Sequence, residues 1–199
     1  VFDQNVTALA AGLGVGGVAV ALASKESLEN LLGSFTIFLD KPFQVGDIIT
    51  IGNITGKVEK VGFRSTRVRT FDKSVVTVPN KNLVIAELDN LGVRPVRRVK
   101  INIGLTYSTT VNQIKEIVND IQKLIDDHEQ TNQDGKVRFL NFGASSLDVM
   151  VLYYVNSPDW DVLVDTQQEI NFKIIEIVKK HGSDFAYPTT SVFLENQKN

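Results

Sequence analysis

Residues 6–23 read Val-Thr-Ala-Leu-Ala-Ala-Gly-Leu-Gly-Val-Gly-Gly-Val-Ala-Val-Ala-Leu-Ala, eighteen positions without a charge. Wound as a helix, with a rise of about 1.5 Å per residue, they would span about 27 Å, against roughly 30 Å for the hydrocarbon core of a bilayer. The flanks exclude a secretory signal peptide. No basic residue precedes the run, and Lys25-Glu26 follows it where a small-residue cleavage site would stand. Gly12-Leu13-Gly14-Val15-Gly16-Gly17 satisfies the GxGxxG spacing of dinucleotide loops, but that loop needs a preceding strand, and residues 7–11 do not form one. The run reads as a membrane helix.

Four glycines and six alanines fall within it. In water each glycine would cost a helix about 1 kcal/mol, whereas in a bilayer small residues let helix backbones approach closely. At about 100° per residue, Ala10, Gly14, Gly17 and Ala21 share one face. Ala8, Gly12, Gly16, Ala19 and Ala23 share another, roughly opposite. Between them lie two faces of larger side chains: Val15, Val18 and Leu22 with Ala11, and Val6, Leu9, Leu13 and Val20. Two small flanks suit packing against an identical helix on each side, and repetition of that contact closes a ring. One large face would then line the axis, apolar and dry until widened. A helix buried in any tight membrane bundle fits equally well, and geometry does not say which large face is axial. Seven Leu and Val contribute only about −0.3 to −0.6 kcal/mol each, so this span should need partner helices. The chain starts at Val1 without a methionine, so it reads as a fragment or processed form with segments upstream.

Beyond Lys25-Glu26, residues 27–40 keep a helical period but carry polar side chains, which suits a membrane interface. The charged pair predicts a bend between the two segments. Lys41-Pro42-Phe43 ends the helix. Residues 47–51, 56–62, 64–71 and 75–78 alternate as short strands, with turns at Gly52-Asn53 and Asp72-Lys73, and Pro79-Asn80 closes a small barrel or sandwich. Then come a strand over 97–106 and a helix over 111–128 with Ile114, Ile117, Val118, Ile121 and Ile125 inward. Strands over 137–142 and 147–155 follow, then a helix over 161–181 with Ile170, Ile174, Ile177 and Val178 inward, and a last strand over 191–194. The order β-α-β-β-α-β is the ferredoxin-like arrangement.

The chain has no cysteine and two histidines, His128 and His181, each at a predicted helix end where an imidazole meets the last carbonyls. No nucleophile is paired with a base, and no catalytic, cofactor or metal site is expected. Asp126-Asp127 and Asp159/Asp161 read as a helix end and a helix start. Charge is unevenly spread: residues 57–100 carry eleven basic and four acidic side chains, between two acidic stretches. That block can face nucleic acid, anionic headgroups or water. A soluble nucleic-acid binder working through Arg64, Arg67 and Arg69 is one alternative. It leaves the Gly/Ala run unexplained and has no aromatic-rich strand on which bases could stack. A ring without conductance, acting as a membrane scaffold, is another.

In order along the chain, the Gly/Ala helix is followed by Ser27-Leu28-Glu29-Asn30-Leu31, Asp40-Lys41-Pro42-Phe43, Val45-Gly46-Asp47 and Gly62-Phe63-Arg64-Ser65-Thr66. Thr77-Val78-Pro79-Asn80, Pro95-Val96-Arg97-Arg98 and Gly182 with Phe185, Tyr187 and Pro188 continue the series. Together these resemble the small-conductance mechanosensitive channel (MscS) family. The resemblance implies a channel opened by membrane tension, which releases ions and small osmolytes on hypo-osmotic shock and is not an enzyme. It implies a ring-shaped homo-oligomer, typically a heptamer, in a multi-pass arrangement in the bacterial inner membrane with the C-terminal part cytoplasmic. It divides the chain into a pore-lining and interfacial helix over 1–40, a small all-β, Sm-like barrel over 41–95, and an α+β ferredoxin-like domain over 96–199 with a C-terminal barrel strand. It places the hydrophobic constriction on Val18 and Leu22, with Ala11 and Val15 lining the same face. Ala10, Gly12, Gly14, Gly16, Gly17, Ala19 and Ala21 become helix-packing positions. The expected partners are further copies of the chain, membrane lipids and permeating solutes, and not nucleic acid, with Arg64, Arg67 and Arg69 as headgroup candidates. The sequence departs from the family at Glu26, where well-known members carry glycine. Lys25, within about 50° of the pore face, and Glu26 would then ring the pore mouth, where their field biases ion selectivity or neighbouring subunits exchange salt bridges.

Overall fold

A computed structural model describes residues 6–190, with side chains from residue 9 onward. The chain divides into two compact units, one ending at Val93 and the other beginning at Arg94.

The first unit begins with one helix, α1, Val6–Asp40. It runs unbroken through Lys25 and Glu26, so the expected bend is corrected to continuous helix. Lys and Glu are both good helix formers. Lys25 Nζ also lies 3.9 Å from Glu29 one turn on, and Asn30 Nδ2 donates to the Glu26 carbonyl at 3.0 Å. Strands β1 (Ile48–Ile51), β2 (Ile54–Val61), β3 (Ser65–Thr70) and β4 (Val75–Pro79) follow. Gly52, at φ 53°, makes the tight β1–β2 hairpin, and Lys73, at φ 68°, makes the β3–β4 turn. Two elements are additional to the expected strands: the short helix α2 (Asn80–Ile85) and strand β5 (Leu88–Asn90). β5 pairs with β1, giving one antiparallel sheet in the order β4-β3-β2-β1-β5 rather than the two sheets of a sandwich. Ile49, Ile51, Val58, Val68 and Val78 alternate onto its inner face and pack with Ile37, Phe43 and Leu83. At Gly56 an added Cβ would lie 2.3 Å from the Arg69 carbonyl oxygen, so β2 and β3 approach more closely than any side chain allows.

The second unit runs β6 (Arg97–Leu105), α3 (Val111–Asp127), β7 (Lys136–Phe142), β8 (Leu147–Val155) and α4 (Trp160–Lys180). Its sheet has the order β6-β8-β7, all antiparallel neighbours. β8 buries every second side chain, from Leu147 to Val155, against Ile117, Ile121 and Ile125 of α3 and Ile170, Ile174 and Val178 of α4. Thr110 and Gln113 close a reciprocal cap on α3, and Asp159 caps α4 through the Asp161 amide. Past α4 the chain turns back along the free edge of β6: the Thr106 amide donates to the Asp184 carbonyl at 3.1 Å and Ala186 to that of Gly104 at 2.9 Å. The expected strand over 191–194 lies outside the described residues.

Both histidines sit at helix ends, but their partners correct the expectation. His128 and His181 cap α3 and α4, and each ring reaches a carboxylate of the other helix instead of the last carbonyls.

Candidate functional site

The N-terminal half of α1 has no counterpart in a soluble core. Leu9, Leu13, Val15, Val18, Val20 and Leu22 are 61–74% exposed. An apolar surface of this extent is not left to water, and this is the one helix among the described residues long and apolar enough to cross a membrane. An added Cβ at Gly12, Gly14, Gly16 or Gly17 would meet nothing within 4 Å. Ala10, Ala11, Ala19 and Ala21 are likewise exposed. The structure therefore brings Ala11, Val15, Val18 and Leu22 onto one open face, between flanks of small residues that none of the described residues fills.

The C-terminal half of the helix is anchored. Asn30, Gly33 and Ile37 form a buried stripe at spacings of three and four. At Gly33 the helix meets α2 so closely that a Cβ would stand 3.0 Å from the Asn80 carbonyl carbon and the Lys81 nitrogen. Asn30 Oδ1 accepts from the Lys81 amide at 3.1 Å, and Lys81 Nζ pairs with Glu29 at 2.5 Å. Asn80, fully buried, accepts from Thr66 Oγ1 at 2.9 Å and donates to the Gly62 carbonyl at 2.8 Å, while its amide donates to the Arg64 carbonyl at 3.0 Å. Two buried asparagines thus tie α1, α2 and the β2–β3 turn into one joint. Sequence reading noted Asn30 and Asn80 only as members of motifs. Their burial between elements 50 residues apart carries no local signal.

The charged candidates divide. Lys25 faces Glu29 of its own helix rather than standing free, and Glu29 passes the contact on to Lys81. Arg64 lies exposed in the β2–β3 turn and Arg67 exposed on β3. Arg69 is committed locally: its Nε donates to Glu59, which holds the guanidinium above its ordinary pKa, and its NH1 donates to the Lys73 carbonyl at 2.7 Å. Arg69 is therefore held within its own sheet, while Arg64 and Arg67 point to an exposed surface.

Residues 26–92 match the family model described as "Mechanosensitive ion channel, beta-domain", and residues 99–185 match "Mechanosensitive ion channel MscS, C-terminal". The chain belongs to the MscS family. An MscS family protein of Aquifex aeolicus is 42% identical over 96% of this chain, and the small-conductance mechanosensitive channel MscMJ of Methanocaldococcus jannaschii is 41% identical over 96%. The chain spans about half the length of these curated relatives, 52% and 55%. Among solved structures, that of MSL1 from Arabidopsis thaliana superposes with a TM-score of 0.84 at 25% identity, covering 94% of this chain and 68% of the other. As in the sequence reading, this MscS chain carries an N-terminal apolar helix ahead of β-rich domains.

Proposed function

We propose that this MscS chain is the pore-lining helix and downstream body of a tension-gated, non-enzymatic ion channel in a multi-pass membrane protein. The observation that carries the reading is the open, apolar first half of α1, joined without a break to an anchored second half. A heptameric ring of such helices, packed through the flanks of Ala10, Gly14, Gly17 and Ala21 and of Gly12, Gly16 and Ala19, would cover the small residues and turn Ala11, Val15, Val18 and Leu22 to the axis. Rings of Val18 and Leu22 would then form a dry constriction. Lateral tension favours the state of larger in-plane area. Tilting the helices would separate the two rings until they wet, passing ions and small osmolytes during hypo-osmotic shock.

The remaining elements take supporting roles in this reading. The five-stranded sheet of the first unit would curl into an Sm-like barrel. The second unit would be ferredoxin-like, and residues 184–186 run beside the edge of β6. Both would sit on the cytoplasmic side of a bacterial inner membrane. Arg64 and Arg67 remain available to anionic headgroups, each near-surface arginine contributing about 1 kcal/mol. Arg69 serves its own sheet. Nucleic acid is not favoured as a partner, since Arg69 is engaged by Glu59 and the Lys73 carbonyl of its own sheet.

Patch recordings of the full-length protein under suction test the reading. Stepwise conductance below lytic tension is expected, and silence up to lysis would leave only a membrane scaffold. Replacing Leu22 by Ser should lower the opening threshold or leak at rest, because a hydroxyl lets the constriction wet. Unchanged gating in Leu22→Ser would show that another face is axial.

A further inference from the structure

Ala11, Val15, Val18, Leu22, Lys25 and Glu29 follow one another along α1 at alternating spacings of four and three. That is a single stripe on a helix, drifting only about 20° in seven residues. A bend at Lys25-Glu26 would have turned the last two members away. Because α1 is unbroken from Val6 to Asp40, the face that carries Val18 and Leu22 continues straight into Lys25 and Glu29. Glu29 stands two turns past Leu22, about 10 Å along the helix. Its side chain is 33% exposed, so water and dissolved ions reach it.

The charges on this stripe are partnered unequally. Lys25 Nζ lies 3.9 Å from Glu29 Oε1 and its side chain is 69% exposed, so that pair is loose and solvated. Glu29 Oε2 accepts a direct hydrogen bond from Lys81 Nζ, a charge-assisted contact and the stronger of the two. Lys81 belongs to α2, 52 residues further along the chain. Its backbone is held independently, since its amide donates to Asn30 Oδ1 at 3.1 Å and its nitrogen stands 3.0 Å from where a Cβ on Gly33 would lie. Glu26, beside the stripe, also attracts Lys81 through space. Two carboxylates of α1 are thus balanced by one ammonium of the same helix and a second one delivered by α2.

Resting on the channel reading above, we infer that Lys81 is a selectivity-determining residue: paired to Glu29, it cancels a carboxylate that would otherwise draw cations to the mouth beyond Leu22. A charge acts on ions within about a Debye length, roughly 8 Å at physiological salt, and in a ring the contributions of all copies add. Loss of Lys81 unmasks Glu29 and Glu26. Loss of Glu29 leaves Lys25 and Lys81 in excess over Glu26. The two losses break the same contact yet push ion preference in opposite directions. A contact that served only the fold would respond to both in the same way.

Excised-patch recordings of the full-length protein under suction, with unequal potassium chloride on the two sides, read this preference as a reversal potential. Lys81→Gln should raise the cation-to-anion permeability ratio about threefold or more over wild type, and Glu29→Gln should lower it by a similar factor. Lys81→Arg, which keeps the charge, should match wild type. Both shifts should shrink as salt is raised. Wild-type conductance steps with no shift, or with shifts of the same sign in the two Gln variants, would overturn this inference and leave the channel reading standing. Wild-type silence up to lysis would sink both. Where Lys81→Gln fails to assemble, Glu29→Gln decides alone: an unchanged ratio shows that its carboxylate does not face the ions.

Discussion

Asn80 shows how much of the architecture can hang on one side chain. Its amide group both accepts from Thr66 and donates to Gly62, and Asn80 and Thr66 are fully buried, so neither side chain can turn to water instead. Asn80→Ala would leave the buried Thr66 hydroxyl unpaired, at about 1–3 kcal/mol, and would also lose the bond to the half-exposed Gly62 carbonyl. The expected outcome is a loss of about 2–4 kcal/mol in denaturant unfolding of the first unit. Thr66→Val in the same background should then cost little more, because it removes the orphaned hydroxyl. Leu22 belongs to the same scale but to a different reading. Its side chain is 68% exposed, so its replacement is expected to alter gating and not the fold.

At the scale of elements, the consequential feature is that α1 is one helix. An exposed apolar half and an anchored half belong to one helix, so in the proposed gating a displacement of the first would reach the joint at Asn30, Gly33 and Ile37. That joint depends on close approach. Gly33→Val would push a branched side chain into the backbone of Asn80 and Lys81, and neither can yield as a side-chain tip would. Overpacking of this kind costs about 1–3 kcal/mol. We expect α1 to lift from α2, seen as faster exchange of the Lys81 amide that now donates to Asn30. In the second unit, α3 and α4 are the paired elements: hydrophobic along their inner stripes, and joined at both ends by a histidine facing carboxylates.

For the whole molecule, the proposal is a ring, and the ring is what would cover the open half of α1. Detergent-solubilised full-length protein should have the mass of a heptamer and stay assembled on dilution. A monomer at all concentrations would remove the basis for an axial constriction.

Strand and helix positions were legible because they follow local periodicity: two for β8, and three to four for α3 and α4. The uncharged run over 6–23 announced a membrane helix because length and polarity alone meet the bilayer's requirement. The placement of the glycines and alanines on opposed flanks was equally local. Other features needed the folded chain. β5 and α2 are too short for a pattern and exist through pairing with β1 and packing on α1. Lys25-Glu26 looked like an interruption, yet a helix tolerates charge readily where its neighbours are also charged and one turn away. The carboxylate partners of His128 and His181 come from helices far apart in the sequence, as do the contacts that bury Asn30 against Lys81. Hydrophobic period and length are properties of neighbours along the chain. Buried polar joints and ion pairs depend on which distant groups end up against one another, and only packing decides that.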